Sequence, residues 1–331
     1  MLSRFRIAGA GAYKPRNALT SREMDDVHGC AAGWTEGEFG IASRHVAGDA
    51  ETTSTMAAKA AKVALANAGW EGKSLDVIIG GCGVMEQPIP STSALVQDKL
   101  GLGASGIPCF DVNQTCLSFV AAFDVAAMGL AIGRWKRALV YASDIATVGL
   151  NPDDPKTRSI FGDGAAAIVI EADEQGTSGL LSQSSVTMGA HNNLAQLRSG
   201  GTKLRVSEGY EALVEGSYFE MDAFGIFKAA AKALPGVIEQ ALSGANITKD
   251  DLDCIICHQA SAPGVEHVKR LFGPRDERVV NIFADHGNQI AASIPTVLAH
   301  ALETGAAKPG DTIMLLGTAA GISATAMVVR I

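Results

Sequence analysis

The chain repeats one pattern twice, and this repeat limits the fold more than any other feature of the sequence. Residues 65–79 read LANAGWEGKSLDVII and residues 242–256 read LSGANITKDDLDCII, which match at a constant offset of 177. In both copies an alanine-rich amphipathic segment precedes the match, and a short apolar run with β-branched residues ends it. The spacing is far longer than the roughly 20–50 residues of a solenoid repeat, so it indicates duplication of a domain-sized unit.

The remainder of each copy also corresponds. A polar segment opens a long apolar helix in both, at 111–116 in the first copy and at 288–293 in the second, and a further strand, a glycine-containing turn and a final strand follow. Helices that alternate with short apolar strands predict parallel βαβ layering, with helices on the faces of the sheet. We therefore expect a duplicated α/β protein with two pseudo-symmetric halves, 1–173 and 174–331.

Charge and hydropathy exclude several classes of protein. The chain has 27 basic and 35 acidic side chains, a net charge of −8, and no segment is basic enough for the phosphate contacts of a nucleic-acid-binding protein. The most apolar stretch, 117–132, contains Asp124 and is too interrupted to predict a membrane span. Arg4, Arg6 and Lys14 leave no room for the apolar core of a secretory leader. We expect a cytoplasmic enzyme.

The six cysteines are scattered, without the density of a secreted disulfide framework. Cys254 and Cys257 form a C-x-x-C pair that invites a redox or zinc interpretation. They lie in a run with strand character, where positions three apart point to opposite faces, and no second such pair completes a zinc site. A buried structural role for both is favoured, and no metal site is predicted.

Cys116 stands where a long apolar helix begins, and that helix is apolar almost all round, so it should be buried centrally. A thiol at a helix N-terminus faces unpaired N–H groups and the positive end of the helix dipole, which stabilise the thiolate. By itself Cys116 is better explained as a small buried apolar residue.

Two other polar residues also lie at the end of a predicted strand or at the start of a predicted helix. His258 directly follows a predicted strand, and Asn288 opens the long helix of the second copy. Ligands collect at the carboxyl ends of the strands in parallel sheets. Either residue alone is explained structurally, the histidine by a buried hydrogen bond and the asparagine as a helix cap. The joint arrangement of all three in a duplicated fold favours a catalytic site.

With these residues in place, the sequence resembles the β-ketoacyl-acyl-carrier-protein synthase III family of the thiolase superfamily. The resemblance covers essentially the whole chain, and it is carried by the segments IAGAGAYKP, DVNQTCLSF, FGDGAAAIVI, CHQAS, HGNQIAASIP and KPGDTIMLL. It implies a five-layer αβαβα fold and a homodimer. It also implies that Cys116 is the acylated nucleophile, that His258 and Asn288 bind the carbonyl of a second thioester, and that the backbone of Gly321 joins that of Cys116 in an oxyanion hole.

The same resemblance implies a substrate channel. Trp34 and Phe227 match positions that bind the substrate, and Ile89 matches a loop that reaches the acyl pocket of the partner subunit. Lys228 and Arg270 match positions that dock an acyl carrier protein. The implied substrates are an acyl thioester and a malonyl thioester, carried on coenzyme A or carrier protein, and the implied reaction is a decarboxylating Claisen condensation that needs no metal or redox cofactor.

The sequence departs from the family pattern near the expected channel. Glu38 stands where the family usually has an arginine that holds coenzyme A, and Ser261 and Pro263 replace a common asparagine and a basic residue. These departures leave open a specialised pathway, an acyltransferase that moves the acyl group from Cys116 to oxygen or nitrogen, and an inactive partner subunit. A head-to-head condensing enzyme of hydrocarbon synthesis is less favoured, because Ile89 stands in the segment where that group carries a catalytic glutamate.

Overall fold

A computed structural model describes the backbone of residues 1–331 and every side chain except those of 274–276. In chain order the strands are β1 Ser3–Tyr13, β2 Asn17–Thr20, β3 Ser43–Val46, β4 Val77–Gly80, β5 Cys109–Asp111, β6 Arg137–Asp144, β7 Gly164–Ala172, β8 Gly179–His191, β9 Ala195–Gln196, β10 Glu220–Met221, β11 Cys254–Cys257, β12 Thr312–Ala319 and β13 Gly321–Arg330. The helices are α1 Ser21–His28, α2 Trp34–Phe39, α3 Thr53–Ala68, α4 Thr92–Lys99, α5 Ser118–Ala131, α6 Pro155–Ile160, α7 Tyr210–Gly216, α8 Ala223–Ala245, α9 Ala262–Phe272, α10 Phe283–His286 and α11 Ser293–Thr304.

The repeat in the sequence is visible in the main sheet. Its strand order is β11-β12-β13-β8-β1-β7-β6-β4-β5, so β11, β12 and β13 occupy the places in one half that β4, β6 and β7 occupy in the other. The halves meet where Ser3 and Arg4 of β1 pair with Leu180 and Gly179 of β8. The predicted boundary at 173/174 falls on the link between β7 and β8.

The predicted parallel βαβ units are present, but the sheet as a whole is mixed. Strand β4 runs parallel to β5 and β6, and β11 runs parallel to β12. The pairs β6/β7, β12/β13, β1/β7 and β8/β13 are antiparallel. A helical crossover returns the chain in the same direction, whereas a tight turn reverses it. Only Ala320 separates β12 from β13, so these two strands can pair only as a hairpin.

Local sequence signals explain the long helices of the two copies. The Thr52 hydroxyl accepts the Thr55 N–H at the start of α3, and Gly69 ends it with a left-handed φ of 67°. The Asp222 carboxylate accepts the Gly225 N–H at the start of α8, at 2.9 Å, and Asn246 ends that helix in the left-handed region. Polar N-caps and left-handed C-caps satisfy the backbone groups that the helix ends leave unpaired.

Five layers pack around three apolar cores. The central core encloses the middle helix layer on both sides, and one further core lies beneath the outer helices of each half. Alternate residues of each strand face different cores: Val77 and Ile79 pack in the central core, whereas Ile78 packs beneath α3. In the second copy, Ile313 packs in the central core and Met314 packs beneath α8. The layers are therefore helix, sheet, helix, sheet, helix, which confirms the predicted fold class.

The buried helix was correctly predicted. Helix α5 lies in the central core together with α11, and residues on several of its faces, including Phe119, Phe123 and Leu130, are at most 4% exposed. Gly133 follows its end with a left-handed φ of 70°. No helix in the described part of the chain is both long and apolar enough to cross a membrane.

The two cysteines of the C-x-x-C motif point to opposite sides of the sheet, as predicted. Cys254 packs in the central core and Cys257 in the core beneath α8. Both are free thiols that are 1% exposed. Among the side chains that the structure describes, no group of three or more histidine, cysteine, aspartate or glutamate residues is placed to hold a metal ion.

Candidate active site

Cys116 lies in a tight turn, Thr115–Leu117, that leads into α5. Thr115 adopts a left-handed φ of 50°, which is unusual for a β-branched residue. The Ser118 hydroxyl stabilises the turn, since it accepts the Gln114 N–H at 2.8 Å and donates to the Thr115 carbonyl at 2.7 Å. The sequence thus fixes the position of Cys116 through a hydroxyl two residues further on.

The thiol of Cys116 is neutral in the free protein, contrary to the expectation of a stabilised thiolate. Burial, together with the negative charge of Asp144, raises its pKa to about 12. Backbone hydrogen bonds from Ala320 and from Cys116 itself act in the opposite direction, but they do not compensate. The cost of removing a charge from water outweighs the field of the helix N-terminus here.

The backbone group that faces the Cys116 sulfur belongs to Ala320, one residue before the predicted Gly321. Ala320 lies between β12 and β13, and its carbonyl accepts a hydrogen bond from the Thr115 hydroxyl at 3.4 Å. Gly321 instead begins β13, where it pairs with His191 and has a φ of 122°. The glycine permits the backbone to turn after Ala320.

His258 directly follows β11, and its backbone N–H donates to the Leu316 carbonyl of β12 at 2.8 Å. The side chain is 8% exposed, and burial lowers its pKa to about 4. The imidazole is therefore neutral at pH 7. Its Nδ1 atom is buried and makes no hydrogen bond with the described residues, so one polar atom of the ring is left without a partner inside the protein.

The backbone of Asn288 and the oxygen of its carboxamide make hydrogen bonds within the described part of the chain, whereas the NH2 group of the carboxamide makes none there. Its N–H donates to the Ile160 carbonyl at 2.9 Å, and its carbonyl accepts from Gly162 at 3.1 Å. The side-chain oxygen accepts the Ile290 N–H at 2.9 Å. The Nδ2 group makes no hydrogen bond with the described residues, and the residue is 7% exposed.

The structure brings the three predicted segments together around two glycines. A Cβ atom on Gly317 would lie 3.0 Å from Leu117, which follows Cys116, and 3.1 Å from His258. A Cβ atom on Gly83 would lie 2.3 Å from Ile290, two residues after Asn288, and 3.4 Å from the carbonyl of Thr115. Side chains at either glycine would fill the space between these segments.

Two glutamines that we did not single out from the sequence hold the polar residues that precede them. The Gln259 amide donates to the carbonyls of Cys257 and Val280, and its oxygen accepts the Ile282 N–H. The Gln289 amide donates to the Asp163 carbonyl at 3.1 Å. The pattern His-Gln and Asn-Gln in the two loops was the signal for this shared role.

A small apolar cluster lies beside the Asn288 segment; it shares Ile290 with the central core and Ile160 with the core beneath α8. It consists of Ala146, Leu150 and Phe161, with Ile160, Phe219, Met221 and Ile290 packed against it. Phe161 forms an isolated backbone bridge with Asn288, and its ring meets that of Phe219 edge to face at 5.6 Å. This apolar cluster was not identified from the sequence, because its members are scattered over 145 positions.

The remaining predicted substrate residues lie further out. Trp34 is half-buried at the start of α2, where its ring contacts Phe39 at 5.1 Å. Ile89 is 85% exposed in the loop between β4 and α4. Phe227 is 37% exposed on α8, and its ring contacts His267 of α9 at 5.6 Å.

The two predicted docking cations lie on adjoining helices. Lys228 is exposed on α8 and Arg270 is exposed on α9, and the Phe227–His267 contact joins these helices. Lys232 is exposed one turn after Lys228. The described surface therefore presents positive side chains on both helices, on a chain of net negative charge.

Two of the departures from the family pattern have a local structural role. The Ser261 hydroxyl accepts the Gly264 N–H at 3.1 Å and caps α9. Pro263 lies in the first turn of α9, where its missing N–H leaves no hydrogen bond unmade. Glu38 is exposed on α2.

The fold and the converging cysteine, histidine and asparagine segments define the class of protein: an acyltransferase with the thiolase fold. The family model for 3-oxoacyl-[acyl-carrier-protein] synthase III matches residues 110–189, and the family model for the C-terminal part of that enzyme matches residues 242–331. The β-ketoacyl-[acyl-carrier-protein] synthase III of Laribacter hongkongensis is 34% identical over 318 residues, 96% of each chain. That of Rhizobium rhizogenes is 34% identical over 327 residues, 98% of each chain. The chain belongs to the β-ketoacyl-acyl-carrier-protein synthase III family.

Solved structures agree with this assignment. The 3-oxoacyl-[acyl-carrier-protein] synthase III of Aquifex aeolicus superimposes with a TM-score of 0.89 at 28% identity, over 99% of this chain and 100% of that one. The enzyme of Pseudomonas aeruginosa gives 0.88 at 28% identity, over 99% and 98%. OleA of Xanthomonas campestris gives 0.86 at 23% identity, and that likeness concerns the fold alone.

Proposed function

We propose that this protein catalyses a decarboxylating Claisen condensation, in which an acyl group carried on Cys116 is joined to a malonyl thioester. The observation that carries the proposal is that the neutral ring of His258, whose Nδ1 atom has no partner among the described residues, and the Nδ2 group of Asn288 lie on segments that meet the Cys116 turn. Buried polar groups without partners are rare in proteins and are expected where a substrate supplies the missing hydrogen bond.

In the first half-reaction the Cys116 sulfur attacks the carbonyl of an acyl thioester. The carbon–sulfur bond to Cys116 forms, the bond to the leaving thiol breaks, and the thiol proton of Cys116 ends on that leaving group. Because the resting thiol is neutral, the proton must be accepted as the sulfur attacks, and the neutral His258 ring is able to accept it at the nitrogen that carries no hydrogen. The N–H groups of Cys116 and Ala320 stabilise the oxyanion.

In the second half-reaction a malonyl thioester loses carbon dioxide, and its carbonyl oxygen becomes negative. The Nδ2 group of Asn288 and the N–H of the neutral His258 ring donate to this oxygen. One such donor typically contributes about 3–4 kcal/mol to transition-state stabilisation. The carbanion attacks the acyl-cysteine, a carbon–carbon bond forms, and Cys116 leaves as a thiolate and regains a proton. No step requires a metal or a redox cofactor.

The apolar cluster around Phe161 receives the acyl chain. It lies beside Asn288, so an acyl chain that enters next to Asn288 would meet apolar side chains. Burial of each methylene of an acyl chain contributes about 0.8 kcal/mol. The rings of Phe161 and Phe219 fill part of this volume and restrict the length or branching of the chain.

Exposed side chains indicate two partners, an acyl carrier protein and a second copy of the chain. Lys228 and Arg270 dock an acidic acyl carrier protein, since their positive charges stand out on a chain of net charge −8. A second copy of the chain covers Ile89, an apolar side chain that is 85% exposed in the single chain. Trp34 and Phe227 line the approach to the site. A cytoplasmic location stays a prediction of the sequence.

Intact-mass measurements test the proposal. The protein is incubated with a series of acyl-coenzyme A and acyl-carrier-protein thioesters, and malonyl carrier protein is then added. We expect an acyl adduct that Cys116→Ala lacks, followed by a β-ketoacyl product. Asn288→Ala should retain the adduct but lose most of the condensation.

Other outcomes separate the alternatives. An adduct that transfers only to alcohols or amines would identify an acyltransferase that makes no carbon–carbon bond. Absence of an adduct with every donor would identify an inactive partner subunit. Full condensation by Asn288→Ala would contradict the proposed role of its carboxamide.

A further inference from the structure

Asp144 is a buried carboxylate that neither half-reaction uses. It ends β6, and its side chain has no exposed surface. One of its oxygens accepts the N–H groups of Gly83 and Val84, both at 2.8 Å, and the other accepts the Ala292 N–H at 3.0 Å. Burial raises its pKa to about 7 against these bonds. Burying a carboxylate at this position costs free energy, so we expect its hydrogen bonds to these backbone groups to have a structural purpose.

These three N–H groups belong to two different segments of the site. Gly83 and Val84 begin the loop that carries Ile89, between β4 and α4. Ala292 ends the turn Ile290–Ala292, which follows Asn288. One carboxylate therefore joins the loop of the predicted partner contact to the turn that follows the catalytic asparagine.

The Asp144 contact has, in the other half of the chain, a counterpart that uses no acidic side chain. Asp144 and Ala319 end equivalent strands, β6 and β12, which lie 175 positions apart. At the end of β12, the backbone of Ala320 meets the turn that contains Cys116. At the end of β6, a carboxylate meets the equivalent turn, 290–292. Each strand thus supports the turn of the other half, but only the N-terminal half uses an acidic side chain.

The 290–292 turn needs such support. Ile290 has a left-handed φ of 52°, a conformation that is strained for a β-branched residue. The Ala292 N–H is shared between the Gln289 carbonyl of the turn, at 3.1 Å, and the Asp144 carboxylate, at 3.0 Å. Hydrogen bonds from backbone N–H groups to a carboxylate are about twice as strong as bonds between neutral groups.

We propose that Asp144 is a positioning residue for the second half-reaction, which fixes the Asn288 turn and the Ile89 loop in one arrangement around Cys116. The inference rests on the proposed function. It predicts that a change at Asp144 impairs the use of the malonyl thioester far more than it impairs the acylation of Cys116.

The charge of Asp144 provides a second, independent readout. The charge opposes ionisation of the Cys116 thiol. Among the causes that raise the pKa of this thiol, it is second only to burial. It also acts on the buried thiol of Cys82, together with Asp111 and Glu86. Loss of the Asp144 charge should therefore shift alkylation of Cys116 by iodoacetamide to lower pH, which the loss of a merely structural contact would not do.

The experiment compares Asp144→Asn with Asp76→Asn. The Asp76 carboxylate accepts the N–H groups of Lys136 and Arg137 at the opposite end of β6, at 2.7 and 2.9 Å, so it is a matched control away from the site. In single-turnover assays, Asp144→Asn should slow condensation roughly 10²-fold, as expected for a misplaced catalytic group. Acylation should stay within a few-fold of wild type, and Asp76→Asn should change neither step.

A third variant separates position from charge. Asp144→Glu keeps the charge but displaces the carboxylate, so we expect slow condensation with an unchanged pH profile of Cys116 alkylation. Equal slowing of both half-reactions by Asp144→Asn or Asp144→Glu, or an unshifted alkylation profile in Asp144→Asn, would overturn the inference. Lack of any acyl adduct on the wild-type protein would instead overturn the proposed function, and the alkylation comparison distinguishes the two failures.

Discussion

Thr115 and Ile290 stand 175 positions apart and share a left-handed backbone, with φ of 50° and 52°. Both are β-branched, and such residues rarely adopt positive φ because the side chain crowds the backbone. Both open a short turn that leads into a central helix, α5 or α11. The duplication therefore reproduces a strained turn as well as the elements around it. One copy of the turn contains Cys116, and the other follows Asn288.

Gly83 and Ile290 are predicted to be energetically coupled. A methyl group on Gly83 would lie 2.3 Å from the Cγ2 atom of Ile290, so Gly83→Ala should destabilise the protein by about 1–3 kcal/mol through overpacking. Ile290→Ala removes the obstructing atom. The double variant should therefore be more stable than the sum of the single effects implies, with a coupling of about 1 kcal/mol or more. Midpoints of denaturant unfolding of the four proteins measure this coupling, and strictly additive effects would contradict it.

Alkylation of Cys116 in the free protein is predicted to be slow at neutral pH. With a pKa of about 12, the thiolate fraction should rise about ten-fold for each pH unit, without a plateau below pH 10. Iodoacetamide labelling followed by intact mass gives the rate, and Cys116→Ala supplies the background from the other cysteines. A plateau near pH 7 would show that the free thiol is ionised.

The repeat was sufficient to predict a duplicated α/β fold, and the family resemblance implied its five layers. The offset of the repeat identified equivalent helices and strands, and the period-2 alternation of the strands assigned Cys254 and Cys257 to different cores. The parallel βαβ units were predicted, but the antiparallel pairs between them were not, because strand direction depends on the connections. The single residue between β12 and β13 permits only an antiparallel pair, and the sequence shows only that a glycine-containing turn is present there.

The segments of the site were predictable, but its electrostatics were not. Cys116, His258 and Asn288 each follow a recognisable local pattern. The backbone hydrogen bond to the Cys116 sulfur comes from Ala320, in the turn between β12 and β13, and the sequence shows only that a glycine follows it. The pKa of Cys116 depends on burial and on Asp144, which lies 28 positions away in the sequence.

Gln259 is predicted to stabilise the segment that carries His258. Its side chain makes hydrogen bonds with the backbone of Cys257, Val280 and Ile282. Gln259→Leu leaves these groups buried without partners, and each such loss costs about 1–3 kcal/mol. The control is Gln97→Leu, because the Gln97 amide makes a single backbone contact, with Ile107. Thermal unfolding should show a clearly larger effect for Gln259→Leu, and equal effects would contradict the bridging role.

The last prediction concerns stability at acidic pH. Burial lowers the pKa of His258 from 6.5 to about 4 in the folded protein, so between these pH values the unfolded chain binds the proton and the folded protein does not. The free energy of unfolding must therefore decrease as the pH falls from 6.5 to 4. At 1.36 kcal/mol per pH unit, His258 accounts for roughly 3 kcal/mol of this decrease.

Other buried groups titrate in the same range, so the contribution of His258 must be measured as a difference. The pKa of His286 is also lowered to about 4, mainly by burial, and adds a decrease of the same sign. The pKa of Asp144 is raised to about 7, again by burial, and acts with the opposite sign. Both groups remain in His258→Asn, so their effects cancel when the variant is compared with the wild type. Between pH 6.5 and 4 the wild-type protein should lose about 3 kcal/mol more stability than His258→Asn, and parallel curves from denaturant unfolding would show that the imidazole already carries a proton in the folded state.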